Sequence, residues 1–308
     1  MTLLRDAIGV VHAPAPDTAR IACLVPSITE LVCDLGLAAQ LVARTGFCIH
    51  PREAVAAIPK AGGTKDVDIA RLRALAPTHV IVNIDENNKA AVEEIASFVP
   101  HVIVTHPNAP EDNVDLYRLI GGIFDRAAAA EELCNALRAA LAAALRGTAA
   151  LPRQNVLYLI WKDPWMTVAP DTYISRTLAA VGWDTVAAVA ADAGTAAAAR
   201  YPQLAPAALT QAAGAAAVVL LSTEPYMFRA PHVAALQAQL EALTAANAAH
   251  QPPSLDAAAH QSRSHLARAA AARVMLIDGE MTSWYGSRAI AGLAYLARLR
   301  ADGAARAA

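Results

Sequence analysis

The chain has 308 residues, enough for two domains of ordinary size, each able to bury its own core without disulfide or metal staples. A formal net charge of -2 and the lack of any Lys/Arg cluster suited to a phosphate backbone exclude nucleic acid as an expected partner. Alanine inflates the 56 % hydrophobic fraction, and no run of about 18 large apolar residues occurs, so no membrane insertion is expected and the protein reads as soluble.

Residues 1–19 read as an N-terminal tail. The opening MTLLRDAIGVVHAPAPDTAR lacks the basic start, long apolar stretch and small-residue cleavage site of a secretory signal, and it reaches Pro14 and Pro16 early. As written the chain is expected in the cytoplasm, or in the periplasm if the true start lies upstream. Short apolar runs then alternate with helical patterns: IACLVP from Ile21, LVARTG from Leu41, HVIVNI from His79 and HVIVT from His101. Continuous β-branched runs of this kind suit strands of a parallel sheet with helices on both faces. Residues 20–122 are therefore assigned to a first α/β lobe. Within it, Ser27 and Glu30 of PSITE have the spacing of a capping box ahead of an apolar helix.

From Ile123 to Arg146 there is no Pro or Gly, and Leu133, Leu137, Leu141 and Leu145 recur every four residues. One long helix is predicted, roughly 35 Å in length, and residues 123–150 are read as a rigid spine joining two lobes. An ordinary surface helix that happens to be long is the alternative. QNVLYLIW from Gln154, AAVVLLS from Ala216 and RVMLID from Arg273 repeat the strand theme, so residues 151–303 form the second α/β lobe. The fold class is α/β, with two Rossmann-like lobes of mainly parallel sheet. Ala-rich stretches near 186–200 and 243–260 read as padding.

Ligands of open parallel sheets bind beyond the carboxyl ends of the strands. The chain has few aromatics, yet Phe47, Trp161, Trp165, Tyr226, Phe228, Trp284 and Tyr285 fall in four short segments that follow strands. In WKDPW an extended chain would project Trp161, Asp163 and Trp165 to one side, with Pro164 stopping the strand; either tryptophan alone could instead seal the second lobe. Arg44, His50, Lys162, Arg229 and Arg288 accompany them, as do Asp85, Glu86, Asn87 and Asn88. A flat apolar ligand with anionic edges suits this mixture. DENN reads equally as a helix N-cap, and each arginine as a solvated charge.

Cys23, Cys33, Cys48 and Cys134 have unrelated spacings and are expected as free thiols. Cys48 and His50, at i and i+2 in GFCIHP, would share one side of an extended chain and so could share a soft metal, but nothing completes a ligand set. A chelate that brings most of its own ligands needs only one axial position from the protein, which His50 could fill. No nucleotide-binding, P-loop, nucleophile-elbow or zinc-protease motif is present.

The order PSITELVCDLGL, LVARTGFCIHP, IPKAGGTKDVDIARLRALAPTHVIV, a spine helix and DGEMTSWYGSR resembles the class III, helical-backbone substrate-binding proteins of ABC importers for cobalamin, siderophores or haem, over roughly residues 20–300. It is most similar to the cobalamin-binding members. The resemblance implies capture of a cobalt- or iron-containing chelate in an interlobe cleft, no intrinsic cofactor, and Phe47, WKDPW and SWYGSR at that cleft. It also implies an ABC permease as partner, yet the positions where importer-bound members carry a docking glutamate read Ala70 and Ala207. The competing expectation is a cytoplasmic enzyme of metal-chelate metabolism, chelatase-like or cobalamin-modifying, with His50, Cys48 and Glu224 as its reactive groups.

Overall fold

The computed structural model describes residues 3–187, 199–249 and 272–305. Two compact units emerge, one of Met1–Leu141 with Trp284–Ala291, the other of Ala142–Ser283 with Gly292–Ala308.

In the first unit the four apolar runs become β1 (Ile21–Cys23), β2 (Leu41–Arg44), β3 (His79–Asn83) and β4 (His101–Thr105), all parallel in the order β2-β1-β3-β4. Every residue of β3 is buried, as a strand covered on both faces must be. Helices α1 (Pro26–Asp34), α2 (Arg52–Val55), α3 (Ile69–Ala74), α4 (Lys89–Ala96) and α5 (Asn113–Ile123) complete it. Part of its core joins Ala22, Leu24 and Ala43 to Leu72, Val80, Val82 and Ile95.

The expected tail is instead built into this unit. Asp6 is buried, accepts from the backbone N–H of Ile8, Val10 and Val104, and sits 3.2 Å from His12. Ala7 N–H donates to Val104 O, so the segment covers the outer edge of β4, whose backbone groups would otherwise lack partners.

The capping box does not form. Pro26 takes the first turn of α1 behind Val25, the Ser27 hydroxyl is buried without a hydrogen-bond partner among the described residues, and Glu30 points elsewhere. The predicted spine also starts later than expected. α5 ends at Ile123, Asp125 adopts φ +53°, and α6 runs Ala127–Thr148, 22 residues or about 33 Å. A side chain at Gly121 would press into Ala130, which is why the two helices meet so closely there. The buried stripe of α6 is Ala130, Cys134, Leu137, Ala144 and Thr148, whereas Leu145 is exposed.

The second unit contains β5 (Gln154–Trp161), β6 (Trp165–Thr167), α7 (Tyr173–Ala179), β7 (Trp183–Thr185), β8 (Gln203–Leu204), α8 (Pro206–Ala215), β9 (Val218–Ser222), α9 (Ala230–Ala249), β10 (Arg273–Ile277), α10 (Glu280–Ser283) and, from Gly292 on, α11 (Arg288–Ala305). Its sheet runs β10-β9-β5-β6-β8, with β7 on β5. β10, β9, β5 and β7 are parallel, but β6 pairs antiparallel with β5 and with β8, so this sheet is mixed. The cause is local: WKDPW reverses the chain through Asp163 at φ +60°, making a hairpin where an extended strand end was expected. Much of the two alanine-rich stretches near 186–200 and 243–260 lies outside the described residues. Trp284–Ala291, assigned from sequence to the second lobe, clusters with the first unit. Among the described residues no helix is long and apolar enough to cross a membrane.

Candidate functional site

In the first unit the loop after β2 presents alternate residues outward. Phe47 and Ile49 are 63 % and 50 % exposed, while Cys48 between them is buried. The Cys48 sulfur lies 3.1 Å from both Thr29 Oγ1 and Thr45 Oγ1, and Phe47 N–H donates to Thr45 Oγ1. Gly63 stands under the Phe47 ring, where a Cβ would come within 3.3 Å of Cε2. Burial raises the Cys48 thiol pKa. Cys48 is therefore an anchor and does not share a metal-binding face with half-buried His50, whose ring meets Trp284 edge-on at 5.6 Å. Among the described residues no group of three or more His, Cys, Asp or Glu could hold a metal ion. Arg44 is buried and donates to the carbonyls of Val55 and Thr45, neither solvated nor turned to a ligand.

The loop after β3 is organised by Asn87. Its Oδ1 accepts from Asn83 N–H at 2.8 Å, and its Nδ2 donates to Leu24 O and Thr64 O at 3.1 and 3.0 Å. One buried amide thus ties together the segments that follow β1, β2 and β3. Asn83 extends the network, accepting from Asp85 N–H and reaching Thr105 at the end of β4. The expected ligand contact of Asn87 is spent on these bonds, and the cap of α4 is Asn88, which accepts from Ala90 N–H. Asp85 faces His106 at 3.5 Å and its carbonyl receives Lys65 Nζ. Ile84, which sequence reading missed, is 45 % exposed at the carboxyl end of β3.

The SWYGSR segment serves chiefly as a staple within the first unit. Trp284 and Tyr285 are buried, and the Tyr285 hydroxyl donates to Glu86. Gly286, at φ +76°, donates its N–H to Asn113 Oδ1 at 2.6 Å and accepts from Tyr117 OH at 2.8 Å. Arg288 holds Glu30 through two bonds and lies over the Trp284 ring.

In the second unit the aromatics at the carboxyl ends of β5 and β9 do come together. Trp161 meets Tyr226 at 5.5 Å, Tyr226 meets Phe228 at 4.6 Å, and Phe228 stacks on Trp165 at 6.0 Å. His232, from the first turn of α9, adds a fifth ring against Tyr226 and Phe228. Phe228 is a buried base, whereas Trp161 and Met227 are 39 % and 62 % exposed. Lys162 pairs with Asp163 at 3.5 Å. Glu224 accepts from Ser283 Oγ at 2.8 Å. Met227 and His232 were missed because neither residue type signals a site alone; their spacing from Tyr226 within one post-strand loop was the available sign.

Each unit thus offers an exposed apolar face at the carboxyl ends of its parallel strands, with histidine, lysine and acidic groups beside it. Such a face can bury a flat apolar molecule and orient its polar edges. Ala70 and Ala207 are each the second residue of a helix, α3 and α8, and both are exposed.

A family model described as periplasmic binding protein matches residues 21–251. No curated protein matches the chain. Among solved structures, the periplasmic vitamin B12 binding protein of Vibrio cholerae superimposes with TM-score 0.68 at 15 % identity, covering 91 % of this chain and 96 % of that one. A periplasmic heme-binding protein from Roseiflexus sp. RS-1, in apo form, gives TM-score 0.68 at 21 % identity, covering 93 % and 99 %. A periplasmic heme binding protein from Pseudomonas aeruginosa gives 0.66 at 18 %, covering 92 % of each chain. At these identities the likeness establishes the shared fold.

Proposed function

The chain belongs to the periplasmic binding protein family, and from that premise we propose that it captures a small metal chelate of the corrinoid, haem or ferric-siderophore kind. One observation carries the reading. Of the ten exposed large apolar side chains among the described residues, five stand at or just beyond strand ends, Phe47, Ile49 and Ile84 in one unit and Trp161 and Met227 in the other, where the fold places ligands. The vitamin B12 and heme named for the structural neighbours support the same ligand class. The cobalt or iron would arrive inside the ligand, with His50 as the side chain offered to an open axial position.

Titration of the purified chain with cyanocobalamin, hemin and a ferric siderophore, followed by tryptophan fluorescence and visible absorbance, tests this. Saturable quenching at micromolar or tighter affinity by one of them is expected. Silence with all three defeats the proposal.

Enzyme chemistry through His50 and Cys48 is not favoured, since the Cys48 thiol is buried with a raised pKa and the family is one of binding proteins. The family description supports a periplasmic setting and gives no support to a cytoplasmic one. For the partner, we propose ABC-type transport with weak permease docking, because exposed Ala70 and Ala207 offer no charge to a permease. Tight, ligand-dependent retention of a permease by the loaded protein would contradict weak docking.

A further inference from the structure

In the second unit the cations are unequally engaged. Arg153 and Arg200 pair with Asp184 and Asp171, and Lys162 pairs with Asp163. The Arg229 guanidinium instead donates from Nη2 to Met227 Sδ at 3.1 Å, and no carboxylate among the described residues forms an ion pair with it. A thioether is a weak acceptor that uses one of five donors. The backbone beneath it is held, because Arg229 N–H donates to His232 Nδ1 at 2.9 Å and the His232 ring packs against Tyr226 and Phe228. An exposed guanidinium, an exposed thioether and the partly exposed Trp161 therefore share one short stretch of surface whose base is fixed.

A guanidinium matches a carboxylate with two parallel bonds, and a carboxylate displaces a thioether readily. Resting on the chelate-binding reading above, we infer that Arg229 is a specificity-determining residue that recognises a carboxylate on the edge of the chelate, while Trp161 and Met227 cover its apolar face. A chelate with free peripheral carboxylates is thereby selected over one whose periphery is esterified or amidated.

Calorimetric titrations with hemin, hemin dimethyl ester and cyanocobalamin, on the full chain and on Arg229→Gln, Arg229→Lys and Trp161→Ala, separate the outcomes. Hemin should bind about tenfold more tightly than its diester, the worth of a charge-assisted bond. Arg229→Gln should erase that difference by weakening hemin alone, Arg229→Lys should restore it in part, and Trp161→Ala should weaken both probes alike. Equal binding of hemin and its diester to the unmodified chain, tighter binding of cyanocobalamin than of hemin, or an Arg229→Gln effect of the same size on hemin and diester overturns the role of Arg229 and leaves the chelate reading standing. Binding of none of the three overturns the role of Arg229, and silence with a ferric siderophore as well overturns both.

Discussion

Arg288 and Glu30, 258 positions apart, meet through two hydrogen bonds of 2.7 and 2.6 Å, with side chains only 12 % and 15 % exposed. The pair explains why Glu30 does not cap α1, and it fastens the segment after Trp284 to the first unit.

Removing one partner leaves the other charge poorly solvated. Glu30→Ala and Arg288→Ala should each lower stability by about 3 kcal/mol in urea unfolding, whereas the double variant should lose less than the sum. Arg288→Lys should rescue little, since an ammonium cannot make the paired fork. Additive losses would show that the two side chains do not act as a pair.

Asn87 predicts a second effect. Asn87→Asp keeps the shape but loses both donated bonds and buries a charge, so a stability loss of about 2 kcal/mol is expected, together with weaker hemin or cobalamin binding as the loops after β1, β2 and β3 loosen. Unfolding and titration of the same preparation check both. Unchanged stability would remove Asn87 from its place as organiser.

His79 predicts a pH dependence. Burial, then the neighbouring His101 and His12, lower its folded pKa from the usual 6.5 to about 4. It stacks on His101 at 4.5 Å and packs edge-on against Phe124, with Thr78 bonded to Nδ1 and Asp6 beside His12. Between those two pH values the unfolded chain binds more protons. This contribution is complete above about pH 6.5, is lost as the pH falls towards 4, and amounts to at most about 3 kcal/mol. Urea unfolding from pH 4 to 7 should show His79→Gln less acid-sensitive than the unmodified chain. Identical pH slopes would refute it.

The thiols predict slow chemistry. Burial raises the pKa of Cys23, Cys48 and Cys134, and that of Cys33 to about 11. A disulfide reagent such as DTNB at pH 8 should therefore modify the folded chain slowly and all four cysteines rapidly in guanidinium. Fast reaction of Cys48 in the folded chain would reopen it as a metal ligand or nucleophile.

His50→Ala tests the axial role. It should change the visible spectrum of a bound cobalt or iron chelate, with little effect on stability because the ring is only half-buried. An unaltered spectrum would leave His50 a packing residue with no axial role.

Seven of the strands were legible in the sequence because continuous β-branched runs such as HVIVN can be satisfied only between two covering layers. The aromatic face of the second unit was legible too, since Trp161, Trp165, Tyr226 and Phe228 stand just beyond such runs. The sequence by itself therefore determined the α/β class, two sheets and which polar and aromatic residues stand at the strand ends. Only the tertiary structure decided which of those groups face outward. Cys48 turned inward because Thr29 and Thr45 satisfy its sulfur, Asn87 was consumed by three loops, Glu30 went to Arg288, and the residues after Trp284 joined the first unit. Each outcome depends on a partner far away in sequence. Hydrophobic period is a local property, whereas the satisfaction of a buried polar group is settled only when distant segments meet.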